Sequence, residues 1–297
     1  MRKSHYAVRI LGIAALAGLT ACGGASDEAA ADAEAAPAPP SLAVELWKAG
    51  TPAFGVFVPN ERPREEMRAE DGTFRPPLYT AEGGAALAAN PLVDYLFLNL
   101  EGQYDPSAIE AMAAGLARHP EANKTLLVRI PPISEDGEEA ARTRILEAFA
   151  AGAHGVVVPH VRSVEEARLA AGYFAEAGVD IWSPGNPTGT HVGMLMIEDP
   201  GALAQAAEIA DVPGYSVLAC GIGSLTRALE GDREAAEAGN LEVLAQATRV
   251  GMPDIIPATE NDVAERIDQG FLGLLMMGRD AETTDAGIMA GRSASGR

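Results

Sequence analysis

Gly152-Ala-His-Gly-Val-Val-Val-Pro-His-Val-Arg-Ser-Val-Glu-Glu166 is the stretch whose reading decides the fold. Three β-branched residues, Val156, Val157 and Val158, lie between Gly155 and Pro159, and a Ser-x-x-Glu capping box at Ser163 and Glu166 then opens an Ala-rich helix. This is a buried strand, a loop and a helix. Parallel strands covered on both faces read as unbroken apolar runs of this kind, and the pattern recurs on either side. Strands are predicted over 53–58, 93–100, 125–130, 156–158, 194–197, 216–219, 254–256 and 272–277, most of them followed by a helix. Eight such units over residues 41–278 predict a single-domain (β/α)8 TIM barrel, an α/β fold that commonly takes about 250 residues. A doubly wound sheet would need a Gly-rich phosphate turn after an early strand, and Gly221-Ile-Gly223 is too short and too late for that.

The 297 residues are 47% hydrophobic and only 5% aromatic, with a formal charge of −20. Such a chain builds its core from Ala, Val, Leu and Ile and is repelled by polyanions, which argues against nucleic acid as a partner. Residues 1–21 read as a leader, with Arg2, Lys3 and Arg9 ahead of an apolar run over 10–19. It ends Leu19-Thr20-Ala21-Cys22, which resembles a bacterial lipobox, so Cys22 is the expected lipidation site and the membrane a partner through that anchor. The simpler reading is an ordinary signal peptide containing a Cys. An Ala, Pro and acidic tether is expected over 22–40, because nothing in it can offset ordering entropy. The domain is thereby expected on the bacterial cell envelope, facing the periplasm. Cys220 is then alone, without a disulfide partner, and is expected to be buried.

In such a barrel the side chains just beyond the strands converge on one rim. Here they are Asn99, Glu101, Arg129, His160, Glu198 and Ser224. Arg129 ends an apolar strand, where an arginine is unusual unless it meets a carboxylate or an anionic ligand; the structural alternative is an ion pair with Glu101 or Glu198. Glu198 follows Leu195-Met-Ile197 and suits a hard cation such as Mg²⁺; alternatively it pairs with Arg129 or faces the N-terminus of the helix beginning at Pro200. The unpatterned connection 59–82 is long enough to be a lid or a binding loop.

The segment Leu195-Met-Ile-Glu-Asp-Pro-Gly-Ala-Leu-Ala-Gln-Ala-Ala-Glu-Ile-Ala-Asp-Val-Pro-Gly214, with Ala153-His-Gly-Val-Val-Val-Pro159 and Val128-Arg-Ile-Pro131, resembles the HpcH/HpaI aldolase and citrate lyase family. The resemblance covers about residues 46–278. It implies a metal-dependent pyruvate aldolase that reversibly cleaves a 2-oxo-4-hydroxy acid or a related acyl compound. Mg²⁺, Mn²⁺ or Co²⁺ would be held by Glu198 and would stabilise the enolate of a small anionic oxo acid, while Arg129 neutralises the oxyanion.

Three departures accompany the resemblance. The family's Asp-x-Glu-His-Gly reads Asn99-Leu-Glu101-Gly102, without its basic His. Met196 replaces the Gln two positions before the metal Glu, and Gly-x-x-Asp-Leu reads Gly221-Ile-Gly-Ser224-Leu225. A neutral hydroxyl at Ser224 weakens the metal site, leaving Glu101 or Asp199 to complete it and His160 or His191 to act as base. A lone loop histidine such as His160 is otherwise a solvated bystander. Lyase, periplasmic oxo-acid binding protein and structural pseudoenzyme are the three outcomes. Glu101, Arg129 and Ser224 are the expected substrate contacts and Arg129 and His160 the expected catalytic residues. The family forms homo-oligomers by exchanging its last helix, whereas 279–297 reads as a short Gly, Ser and Thr-rich C-terminal tail.

Overall fold

The computed structural model describes residues 41–297, all within one compact unit, so the expected leader, Cys22 and tether lie outside the described residues. Eight strands run in parallel: β1 (Ala53–Phe57), β2 (Tyr95–Asn99), β3 (Thr125–Arg129), β4 (Gly155–Val158), β5 (Val192–Ile197), β6 (Val217–Cys220), β7 (Ile255–Ala258) and β8 (Gly273–Met276). Their order is β6-β5-β4-β3-β2-β1-β8-β7, every neighbour parallel. This is the expected (β/α)8 barrel. Its ring is hydrogen-bonded all round except at one seam: among the described residues no ladder joins β6 to β7, although the two stand side by side.

Among the described residues twelve α-helices wrap it: α1 (Leu42–Lys48), α2 (Ala81–Ala89), α3 (Pro106–Leu116), α4 (Ile133–Asp136), α5 (Glu138–Ala150), α6 (Val164–Glu176), α7 (Pro200–Leu203), α8 (Ala206–Ala210), α9 (Ile222–Ala228), α10 (Arg233–Arg249), α11 (Val263–Gln269) and α12 (Ala281–Ala294). Side chains facing away from the ring, such as Leu96, Val128, Val156 and Ile197, pack under the helices. Those facing inward, such as Phe97, Leu127, Val157, Met194 and Leu275, fill the barrel. At the amino-terminal end α1 closes the floor. Its Trp47 stacks on Trp182 (centroids 6.3 Å apart) and tilts against Tyr95 (6.2 Å), and its indole N–H donates to the Leu272 carbonyl at 2.8 Å.

Several elements differ from the sequence reading. The single helix expected over 200–210 is broken into α7 and α8, with Gln205 outside helical geometry between them. Residues 222–228, where the sequence reading placed no helix, form α9. The barrel also runs one helix beyond the expected boundary at Gly278. Small residues there allow close packing: a Cβ at Gly291 would lie 2.3 Å from the Phe54 ring, so α12 seats its backbone directly on β1. Asp280 and Thr283 cap α12 reciprocally, and Arg292 and Arg297 both reach Asp94, whose side chain is 2% exposed. Among the described residues no helix is long and apolar enough to cross a membrane.

Candidate active site at the carboxyl ends of the strands

Arg129 and Glu198 end β3 and follow β5 on the same rim, and both line a cavity of about 230 Å³. Its walls are otherwise mostly apolar, with Phe57, Phe97, Met194, Met196 and Leu275 among them, and Ser224 and Arg227 supply the polar side next to β6. Mostly apolar concavity with a few convergent polar groups is how small-molecule sites are built. The rim that the sequence predicted is therefore assembled, with room for a guest between its charged ends.

Arg129 does not pair with Glu198. Its Nη2 meets Glu101 Oε2 at 2.6 Å and its Nε donates to Asn99 Oδ1 at 2.9 Å, so two residues from the end of β2 fix the plane of the guanidinium. Glu198 is almost fully buried. Burial pushes its carboxyl above the usual carboxylate range, against the opposing pull of His160, Arg129 and a hydrogen bond from Ser224. Gly221 is what lets this carboxylate lie where it does, since a Cβ at 221 would stand 2.0 Å from Glu198 Oε1.

His160 explains the rest of the arrangement. Its φ of 51° is left-handed, a conformation costly for any residue with a side chain. The turn brings its backbone N–H to Glu198 Oε2 at 2.8 Å while the ring bridges two carboxylates: Nδ1 is 3.3 Å from Glu198 Oε2 and Nε2 is 3.2 Å from Glu101 Oε1. The result is a continuous polar arc along the rim, Arg227–Ser224–Glu198–His160–Glu101–Arg129–Asn99. Glu101 and His160 stand at the edge of the cavity and touch its lining residues without lining it themselves.

Ligand atoms of Glu101, His160 and Glu198 all lie within 4.8 Å of one another and can hold a metal ion. Two carboxylates and an imidazole suit a divalent cation, the carboxylates supplying the charge that a hard ion such as Mg²⁺ or Mn²⁺ needs. The donor set thus fits the expected metal, with Glu101 in the part that Ser224 has vacated. Asp199 is otherwise engaged: its carboxylate caps α7, accepting from the N–H groups of Gly201 and Ala202. His191 precedes β5, at the floor end of the barrel, with Nδ1 2.9 Å from Thr190 Oγ1. It is too far round the fold to serve the rim. The loop 59–82 contributes nothing to the cavity walls; Glu61 ties its end down by accepting from the N–H and hydroxyl of Thr80.

Arg227 is a site residue that strand-end reasoning missed. It lies one helical turn past Ser224 inside α9, and Nη2 donates to Ser224 Oγ at 2.8 Å. Recognising 222–228 as helix would have placed it on the same face as Ser224.

No protein-family model and no curated protein matches the sequence. Solved structures do. An HpcH/HpaI aldolase from Desulfitobacterium hafniense superposes with a TM-score of 0.58 at 18% identity, over 79% of this chain and 89% of that one. Macrophomate synthase gives 0.56 at 18% identity, over 78% and 81%. The citrate lyase beta subunit of M. tuberculosis, in complex with oxaloacetate and magnesium, gives 0.54 at 17% identity, over 84% and 99%. At these identities the likeness shows that the chain shares the (β/α)8 architecture of these proteins.

Proposed function

We propose that this chain is a carbon–carbon lyase that cleaves a small 2-oxo-4-hydroxy acid through a pyruvate enolate. The observation that carries the reading is that Arg129 and Glu198 face one small cavity at the carboxyl ends of the strands, where barrels of this architecture do their chemistry. The names of the superposing aldolase and lyases support it.

Glu198 and Glu101 would hold a divalent ion, Mg²⁺, Mn²⁺ or Co²⁺, and that ion supplies Lewis-acid polarisation of the oxo group when bound. Arg129, oriented by Asn99 and Glu101, meets the charge that develops on the enolate oxygen. Such a preset donor in a mostly apolar wall stabilises the transition state more than it would in water. His160, at the cavity's edge, would accept the proton of the substrate's 4-hydroxyl at Nε2 once the substrate takes the place of Glu101 Oε1, now 3.2 Å away, as the bond between C3 and C4 breaks. The bonding pair passes to C3, giving the enolate, and the aldehyde leaves. Phe57, edge-on to Phe97 at 5.3 Å, contributes to the apolar wall of the cavity. At the envelope, Cys22 would anchor the domain through lipid and leave the barrel to meet small oxo acids in the periplasm.

A second reading, capture of an oxo acid without turnover, is favoured by one observation. Ser224 stands where a second acidic metal ligand is expected, and Arg227 bonds directly to it, placing positive charge beside the metal position. Incubating the protein with Mg²⁺, Mn²⁺ or Co²⁺ in turn, together with pyruvate and small aldehydes, and separately with oxaloacetate, separates the two. Aldol product or metal-dependent decarboxylation supports the lyase. Calorimetric binding of pyruvate that disappears in Arg129→Ala, with neither product formed by any of the three metals, supports capture and removes the lyase.

A further inference from the structure

The floor of the barrel holds a second hollow, at the end opposite the rim. It has a volume of about 340 Å³ and lies between the start of α1 and the entries to β4 and β5, with Ser41, Phe149, Ala153, His154, Thr190 and His191 in its lining. This face of a (β/α)8 barrel serves stability rather than turnover, so the hollow is a place to bind. Among the described residues no carboxylate lines it, in a chain where 42 acidic residues stand against 22 basic ones. An adjoining groove shares Asn123, Gly152 and His154 with it and adds Lys124 and His119, the latter 3.4 Å from Glu121, again with no carboxylate in its lining.

The polar groups of the hollow are preset donors. Leu126 N–H donates to His154 Nδ1 at 3.0 Å, and the N–H of His154 donates to the Leu126 carbonyl at 3.0 Å. With its Nδ1 lone pair taken, the neutral ring carries its proton on Nε2, where it has no partner among the described residues. A second proton would have to sit on Nδ1 against the Leu126 N–H, and burial beside His191 holds this histidine down to about 4, so it stays a neutral donor. Ser41 is 2% exposed, its hydroxyl does not cap α1, and it has no hydrogen-bond partner. Its place is fixed all the same, because the N–H groups of Leu42 and Ala43 donate to the Asn123 carbonyl and to Thr125 Oγ1, each at 2.9 Å. A buried hydroxyl left unpaired costs free energy that a bound acceptor recovers. The third group is His191, edge-on to Phe149 with ring centroids 5.9 Å apart and with Nδ1 2.9 Å from Thr190 Oγ1. A hydroxyl accepts as readily as it donates, so this ring can take up a proton and keep its bond. Burial lowers its pKa and Asp180 opposes that, although Asp180 is itself engaged by Asn186 Nδ2 at 2.6 Å.

We infer that the floor hollow binds a small oxyanion, a carboxylate or a phosphate group, which accepts from His154 Nε2–H, the Ser41 hydroxyl and the His191 ring. The inference stands apart from the oxo-acid reading of the rim. Because His154 is fixed in its neutral form, the positive charge that an anion draws into the hollow is the one proton of His191.

The test titrates the full chain with sulfate, and separately with acetate, at constant ionic strength made up with chloride, and follows the ring signals of the histidines by NMR. The signals of His154 and His191 should shift together and saturate, while that of His160 at the rim stays put. Sulfate keeps its charge across the range, so uptake of one proton by His191 should tighten its binding about tenfold between about pH 7.5 and about pH 5.5. His191→Gln should remove that pH dependence. Ser41→Ala should weaken binding about tenfold, the worth of one hydrogen bond to a charged group, and without added anion should melt at or above the wild type because an unpaired hydroxyl has gone. Tighter binding of sulfate assigns the hollow to a phosphate group, and tighter binding of acetate to a carboxylate. Shifts that never saturate with either anion, a shift confined to His160, or wild-type affinity in Ser41→Ala overturns the inference.

Discussion

Gly221→Ala tests whether the site depends on the carboxylate that lies against position 221. Its backbone, with φ −80° and ψ 72°, is open to any residue, so only the added methyl matters. That methyl would lie 2.0 Å from Oε1, 2.4 Å from Cδ and 2.5 Å from Cγ of Glu198, where real contacts do not fall below 3.0 Å. The carboxylate must therefore retreat by about 1 Å in a close-packed wall. It is not free to do so cheaply, because the N–H of His160 binds Oε2 at 2.8 Å and Ser224 binds it too. Losing one hydrogen bond to a charged group costs about 1.5–3 kcal/mol and overpacking costs a similar amount where nothing yields. A net loss of about 2 kcal/mol lowers the melting temperature by about 4–8 °C in a domain near this size. A shift of about 1 Å in a group that orients substrate lowers turnover by about a hundredfold. Gly223→Ala is the matched control: it lies in the helix that follows Gly221, a Cβ there meets nothing within 4 Å, and Ala is the better helix former. Thermal melts and oxaloacetate decarboxylation, or pyruvate calorimetry if there is no turnover, are measured on both. If Gly221→Ala melts with Gly223→Ala and keeps wild-type activity or affinity, Glu198 is not fixed as described and the reasoning fails.

Two further predictions concern the scaffold. Asp254 is fully buried with no side-chain partner, and burial pushes its carboxyl well above the usual range, offset only in part by the backbone N–H of Ile255. The folded state keeps this proton after the unfolded chain has released it, so the group subtracts stability progressively as pH rises from about 4 toward its raised folded value. Asp254→Asn should melt near the wild type at pH 4 and increasingly above it toward pH 8; parallel curves across that range refute the assignment. Asp94 accepts from Arg292, from Arg297 twice and from the N–H of Phe54. Asp94→Ala strands two guanidinium groups and should cost about 3 kcal/mol or more in urea unfolding; a loss under about 1 kcal/mol would show that α12 is held by its apolar face alone.

The barrel was legible because buried parallel strands leave a signature that survives without alignment. Val156-Val-Val158 and Leu195-Met-Ile197 announce strands by having no polar face to expose. The rim followed from topology, which aims strand ends at one mouth, and Arg129 and Glu198 both line the cavity there. The contacts within the rim were not legible. The bridge from Glu101 to Glu198 depends on the left-handed turn at His160, which nothing in Val158-Pro-His-Val161 declares. Arg227 was hidden because α9 begins amid Gly221 and Gly223, residues that propensity assigns to a loop, although packing against the barrel carries the helix. The same blindness hid α12, whose Gly287 and Gly291 read as flexibility in isolation but permit contact with Met276 and Phe54.

The missing ladder between β6 and β7 among the described residues gives the ring an unfastened edge, and the wall that carries Ser224 and Arg227 hangs from it. Seven of the eight neighbouring strand pairs must break backbone bonds to separate, while this one need only slide side chains past one another. The mouth can therefore widen on the side of Gly221, Ser224 and Arg227 without disturbing the opposite wall that carries Arg129. Amide protons at the facing edges of these two strands should be the first of the sheet to trade with deuterium, and a seated oxo acid should slow them.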